Sequence, residues 1–266
     1  MSARHCMLVV GSGGNRFEAL LQEAYILRNA TGRDWDHYAG ISAGALLCAM
    51  LCMVPAEDLE TFNRDVDRAK NLFLTEEASP FEPWVPLGAF ASSVFALLFH
   101  RDSVFKGNKR FVEREFDKSR FLASGKRLMV GVFDQTLQRY TTIDSNFHTA
   151  EDMRQAVLAS SAVPVAAPYV EFKGHRCRDG AIVHSIPVRE IVAFVANQRP
   201  NWPVDVDLLI SDALRTAPAP TSDPGVVDSA LDVCTSMVWL NLQRDLDQLV
   251  RKVLWGRLRQ KQQSAE

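Results

Sequence analysis

The five cysteines of this 266-residue chain (Cys6, Cys48, Cys52, Cys177, Cys234) are odd in number, scattered, and never spaced Cys-x-x-Cys. That removes a disulfide framework and a zinc site of the usual ligand spacing, and it fits a reducing compartment. An excess of charge of one sign is missing as well: 30 Lys and Arg stand against 32 Asp and Glu. Nothing therefore attracts nucleic acid globally, and none is expected among the partners. No apolar run reaches the ~20 residues of a membrane span; the longest, Leu87 to Phe99, stops well short. Cys6-Met7-Leu8-Val9-Val10 is too short for the apolar region of a secretory signal and runs directly into glycines, so it reads as a first strand. The expectation is a cytoplasmic protein, at most peripheral to a membrane. Phosphate-binding signatures are also incomplete. In Gly11-Ser12-Gly13-Gly14-Asn15-Arg16, Arg16 stands where the dinucleotide fingerprint needs its third glycine, and the Gly-Lys-Ser/Thr of a P-loop is absent. No nucleotide cofactor is called for.

What the chain does have is a short strand turning through Gly40-Ile41-Ser42-Ala43-Gly44 into an apolar helix. A serine whose hydroxyl must stand clear of the backbone occupies a tight, strained turn between strand and helix. Gly40 and Gly44 flank it because a Cβ at either place would collide where the two elements cross. Ser42 is read as a nucleophile, with the helix from Ala43 aiming its N–H groups and positive dipole end at the space in front of it. Cys48 and Cys52, one turn apart on that helix, read as small buried apolar residues.

In chain order, the first strand leads through the glycine loop into a helix with apolar residues at Phe17, Leu20, Leu21, Ala24 and Leu27. The loop offers N–H groups at close range, as an oxyanion hole does. A second strand, near Trp35 to Ala39, ends at the serine turn, and its helix stops before Pro55. Pro55-Ala56-Glu57-Asp58 opens another helix. Residues 55–125, with proline punctuation and an aromatic tract (Trp84, Phe90, Phe95, Phe99), are taken as an inserted cap of helices and loops. Strands return at Leu128–Phe133 and Gln138–Ile143 as a hairpin around Asp134-Gln135-Thr136. Thr149-Ala150-Glu151-Asp152 reads as a capping box before a helix. Asp205–Ile210 is a further core strand, Thr216 to Gly225 a linker, and 226–263 a long terminal helix with a basic end. That end suits anionic headgroups, or simply a helix C-terminus. The whole chain, 1–266, is read as one domain.

The second informative stretch is Arg178-Asp179-Gly180-Ala181, which by itself is ordinary turn chemistry. Taken with the glycine loop and the early Gly-x-Ser-x-Gly turn, in that order, it resembles the patatin-like phospholipases. Ala156 to Pro164 and Ile186-Pro187-Val188 are similar to the family's segments on either side of its aspartate, and the resemblance spans about residues 6 to 212. It implies an α/β fold: a three-layer α/β/α sandwich with a mainly parallel central sheet and a helical cap insertion. It also implies a lipid acyl hydrolase acting through a Ser42–Asp179 dyad. Gly13, Gly14, Asn15 and Ala43 then supply oxyanion-hole N–H groups, Arg16 matches the family's basic position, and Gly40, Gly44 and Gly180 support the backbone. Metal and cofactor are not needed, and the partner is a lipid substrate. The sequence departs from the family loop in carrying Ser12 for a first glycine and Phe17 for a last.

An aspartate of ordinary pKa, ~3.9, is a poor base towards an alcohol, so the site of Asp179 must be partly desolvated. Two other readings compete. An α/β-hydrolase would explain the serine turn and would require a histidine; His148 breaks the chain order, His175 sits in a turn, and His184 reads as a surface or loop residue. A catalytically silent lipid-binding or scaffold protein of the same fold would explain the departures at Ser12 and Phe17, the latter placing a large ring where substrate or close packing belongs.

Overall fold

The computed structural model describes residues 5–13, 17–54, 101–163, 167–198, 204–210, 241 and 243–254. In chain order these form β1 (His5–Val10), α1 (Phe17–Thr31), β2 (His37–Ile41), α2 (Ala43–Met53), α3 (Arg101–Glu115), α4 (Lys118–Ser124), β3 (Arg127–Asp134) and β4 (Arg139–Asp144). There follow α5 (Ala150–Ser160), β5 (Val170–Phe172), β6 (His175–Asp179), a 3₁₀ turn at Gly180–Ile182, α6 (Val188–Ala196) and β7 (Val204–Leu209). A helix over 243–249 then passes into a π-helical turn, Val250–Leu254.

β1 is apolar from Met7 to Val10 and buried throughout, the signature of a strand covered on both faces. Alternation sends Leu8 and Val10 to one side, where they pack with α1, α2 and α5 through Leu20, Leu47 and Met153. Met7 and Val9 go to the other, against Ile186, Ile191 and Phe194, with Leu246, Leu249 and Val253 of the C-terminal helix packed over them. Helices thus cover both faces of one sheet, giving the three layers expected. All eleven residues of α2 are buried, Cys48 and Cys52 among them; a helix hydrophobic all round belongs in the interior.

The parallel core of the sheet is β3-β2-β1-β7, and three antiparallel pairings, β3 with β4, β3 with β6 and β5 with β6, gather at its other side. Val132, Phe133 and Asp134 of β3 pair with β4 and with β6 at once, so those two strands lie on opposite edges of β3. By the same logic β2, paired with β3 from Arg127 to Gly131, shares its edge with β6. Ile41 faces Gly131 and Asp179 faces Val132. The C-terminal ends of β2 and β6 therefore meet nose to nose on one side of a single strand.

Several local readings are realised. The capping box at Thr149 is complete: Asp152 N–H donates to Thr149 Oγ1 at 3.2 Å, and Thr149 N–H to Asp152 Oδ2 at 2.9 Å. The turn at Lys173-Gly174 has positive φ at both residues, 48° and 80°, as a tight two-residue hairpin loop requires. α2 ends at Met53, before Pro55. α6 was not anticipated, although Val188, Ile191 and Val195 carry its buried stripe. Of the segment read as a cap, 55–100 lies outside the described residues, with the helix expected from Pro55 and the tract Trp84–Phe99; α3, α4 and the link between them bring Phe111, Phe121 and Phe116 into the core. The terminal helix read over 226–263 is described at 241 and 243–254. Among the described residues no helix is long and apolar enough to cross a membrane, and no cluster of His, Cys, Asp and Glu could hold a metal ion.

Candidate active site

Ser42 is the residue between β2 and α2, and the crossing of those elements dictates its backbone. It adopts φ 60° and ψ −128°, a region non-glycine residues avoid, at a cost of roughly 1–3 kcal/mol. The glycines around it explain how the turn closes. A Cβ on Gly40 would lie 2.4 Å from the Gly44 carbonyl oxygen, and one on Gly44 would lie 2.4 Å from that of Val10. The strained turn is pinned from outside: the Ser42 N–H donates to Ser160 Oγ at 2.9 Å, and Ser160 Oγ donates to the Gly131 carbonyl at 2.7 Å. Ser160 is fully buried at the end of α5. A buried serine has no packing reason to sit there, and the pair Ser160-Ser161 on the apolar side of a helix end was the signal that sequence reasoning passed over.

Asp179 arrives from the opposite direction as the last residue of β6, only 2 % exposed. Its N–H donates to the Ala162 carbonyl at 3.1 Å, and its Oδ1 accepts the Ala181 N–H at 2.8 Å. The Ser42 side chain lies near enough to favour its charged form. Burial pushes the carboxyl from 3.8 up to about 7, against the smaller opposing pull of the Ala181 N–H and the Ser42 hydroxyl. The desolvation that a carboxylate base requires is therefore present. Arg178 is kept out of this balance by strand alternation: its guanidinium reaches Gln135 Oε1 and the Ala167 carbonyl instead. Gly180 lets the chain turn against β3, since a Cβ there would lie 2.6 Å from the Gly131 carbonyl oxygen.

The glycine loop comes in from the end of β1. Gly11 N–H donates to the Leu209 carbonyl at 3.0 Å and Ser12 N–H to the Ser185 carbonyl at 2.9 Å. A Cβ on Gly13 would lie 3.7 Å from that of Ala43, so the loop runs beside the start of α2, whose dipole points into the site. Gly14, Asn15 and Arg16 lie outside the described residues. Both departures from the family loop find physical reasons. Ser12 has no positive φ and needs no glycine. Phe17, expected to intrude where substrate belongs, instead opens α1, is buried in the core and meets Phe111 edge to face at 6.1 Å.

The three histidines weighed as alternatives each face another partner. His148 Nδ1 lies 3.0 Å from the Asp144 carbonyl oxygen, and His175 Nδ1 lies 2.9 Å from Asp134 Oδ2. His175 is the first residue of β6 rather than part of a turn. His184 is a loop residue but not a surface one: it is 9 % exposed, with Nδ1 2.8 Å from Asp245 Oδ1 and its ring edge-on to Tyr140 at 4.8 Å. No sequence feature tied His184 to Asp245, which lies sixty-one residues away.

Comparison with curated proteins finds no match. Among solved structures, the chain is similar to VipD from Legionella pneumophila, with 13 % sequence identity and a TM-score of 0.46, covering 94 % of this chain and 56 % of that one; it spans little more than half of that protein's length. A family model described as patatin-like phospholipase matches residues 8–192, which is more than half of the chain and takes in the glycine loop, the Ser42 turn and Asp179. The chain belongs to the patatin-like phospholipase family.

Proposed function

We propose that this protein is a serine lipid acyl hydrolase that cleaves carboxylic esters of phospholipids or acylglycerols through Ser42 and Asp179. One observation carries the reading: a serine held in a strained strand-to-helix turn stands at the end of β2, where β6 ends against the same strand on a carboxylate that is almost wholly buried and whose proton affinity the serine side chain lowers. Asp179 takes the proton as Ser42 Oγ attacks the ester carbonyl, and the tetrahedral oxyanion is held by N–H groups at the start of α2 and in the glycine loop. Ala43 and Gly13 border that space; Gly14 and Asn15 complete the proposed donor set, with Arg16 as the adjoining cation. The alcohol leaves with the proton, and water then releases the acyl group from Ser42. A base near pH 7 is well matched to the task, since it is substantially ionised at neutral pH yet basic enough to accept a proton.

The substrate is a lipid, met by peripheral contact with a membrane or micelle, and no cofactor takes part in these steps. The silent-scaffold reading rested on Phe17 and Ser12, and the placement of Phe17 in the core takes away its main support. The test is a panel of phospholipids and acylglycerols incubated with the wild type and Ser42→Ala, products read by mass spectrometry, beside labelling with a fluorophosphonate. Hydrolysis and labelling are expected in the wild type and absent in a folded Ser42→Ala. Undiminished hydrolysis in the variant ends the nucleophile assignment, and binding of lipid without labelling by the wild type returns the scaffold reading.

A further inference from the structure

Four consecutive residues after Asp179 are held by two consecutive residues of the C-terminal helix. Arg244 Nη2 donates to the Val183 carbonyl. Asp245 Oδ1 lies 2.8 Å from His184 Nδ1, and Asp245 Oδ2 accepts the N–H groups of Ser185 at 2.7 Å and Ile186 at 3.3 Å. Asp245 is fully buried. An ionised carboxylate only accepts, so the Nδ1 of His184 carries the hydrogen of that bond. A charge taken wholly out of water is tolerated only when its lone pairs are met, and here three donors on one short segment meet them beside the Arg244 guanidinium, which donates to Oδ1 at 3.3 and 3.4 Å.

The segment so gripped touches both halves of the site. On one side, the N–H groups of Val183 and His184 donate to the Gly180 carbonyl at 3.0 and 3.1 Å, closing the turn whose Ala181 N–H is bonded to Asp179. On the other, the Ser185 carbonyl accepts the Ser12 N–H, and it lies so near Gly11 that a Cβ there would approach to 2.9 Å. A single carboxylate thus sits behind the aspartate turn and the glycine loop together. It comes from a helix beyond residue 192, where the family match ends.

We propose that Asp245 is a positioning residue for the hydrolase: through His184 and the Ser185 and Ile186 amides it fixes residues 183–186, and so sets the Asp179 turn and the glycine loop in register with Ser42. The proposal rests on the dyad reading above. Asp245→Ala leaves two buried N–H groups and the His184 ring unmet, and the segment relaxes. Asp245→Asn keeps an oxygen for the two amides and turns its NH2 to His184, whose Nδ1 accepts it in the other tautomer; only the Arg244 contact is lost, so most of the hold returns. A small displacement of catalytic groups is felt mainly in turnover, by about 10–100-fold.

The experiment uses the full chain, a p-nitrophenyl ester as the probe substrate, and active sites counted by fluorophosphonate so that rates refer to folded molecules. Asp245→Ala is expected to lose kcat by about 10–100-fold with KM changed by less than about two-fold, and Asp245→Asn to recover it. His184→Leu, which removes one partner and leaves the amides bound, is expected to fall between them and serves as the variant should Asp245→Ala fail to fold. Hydrogen exchange adds an independent readout: the amides of 180–186 and of Gly11–Gly13 should quicken together in Asp245→Ala or His184→Leu. Wild-type kcat per titrated site in the folded variants overturns the proposal, as does exchange confined to the C-terminal helix. If Asp179→Asn retains turnover, the dyad reading fails by itself, and exchange alone then decides the clamp.

Discussion

Replacing Asp179 by asparagine should remove activity and, above neutral pH, make the protein more stable. A carboxyl moved from 3.8 to about 7 by folding costs about 4 kcal/mol of stability once it is ionised in both states. The sign follows from proton binding. Below the unfolded value both states are protonated and nothing is lost. As pH rises the unfolded chain releases its proton first, and the folded state is penalised until its own carboxyl ionises near pH 7. The amide carries no such penalty. Its oxygen still accepts the Ala181 N–H, but its extra N–H finds an incomplete set of partners, at a cost of about 1–3 kcal/mol. The variant should therefore be less stable than the wild type near pH 4 and more stable by about 1–3 kcal/mol near pH 8. Urea unfolding of both proteins across that range measures the difference, in which every other titrating group cancels. The kcat/KM of the wild type should rise over the same range with a midpoint at about 7. A stability difference that stays flat with pH, or a rate already at its plateau near pH 5, would refute the desolvation argument.

Two further outcomes follow from the serine turn. Ser42→Gly should abolish acyl transfer while raising stability by roughly 1 kcal/mol, since glycine adopts positive φ without strain; thermal and urea unfolding check it, and a less stable variant would mean the turn is not strained. Ser160→Ala should lower stability by about 1–3 kcal/mol, because it orphans the buried Ser42 N–H, and should slow turnover by more than that loss of folded protein explains; equal kcat per titrated site would show that Ser160 supports the fold alone.

Features carried by local stereochemistry were legible in the sequence. The spacing of Gly40 and Gly44 about Ser42 states a close crossing, Thr149 and Asp152 state a capped helix, and the uncharged run after Ser42 states a buried one; each depends on residues within a turn of one another. Asp179 was legible as a candidate through its company with the other motifs, and the need for desolvation followed from the missing histidine. How Asp179 reaches Ser42 was not, because it depends on two strands meeting against a third. The same is true of Ser160, which matters only because α5 ends behind the Ser42 turn, and of Asp245, whose partners lie some sixty residues away. Phe17 shows the opposite error. Its position in a motif suggested the substrate path, whereas the rotation of α1 turns the ring inward.

The abutment of β2 and β6 on β3 also bears on how such a chain can change. Because Ile41 is opposite Gly131 and Asp179 opposite Val132, the separation of serine and aspartate is measured along a neighbouring strand and not along the path that joins them. Anything inserted after α2, or in the loop between β4 and α5, leaves that measurement alone. A single residue added within β3 between Gly131 and Val132 would spread the pair by about 3.4 Å and turn every later side chain to the wrong face. Length is free off that strand and forbidden on the strand that serves as the ruler, so variants lengthened just after α2 should keep the chemistry.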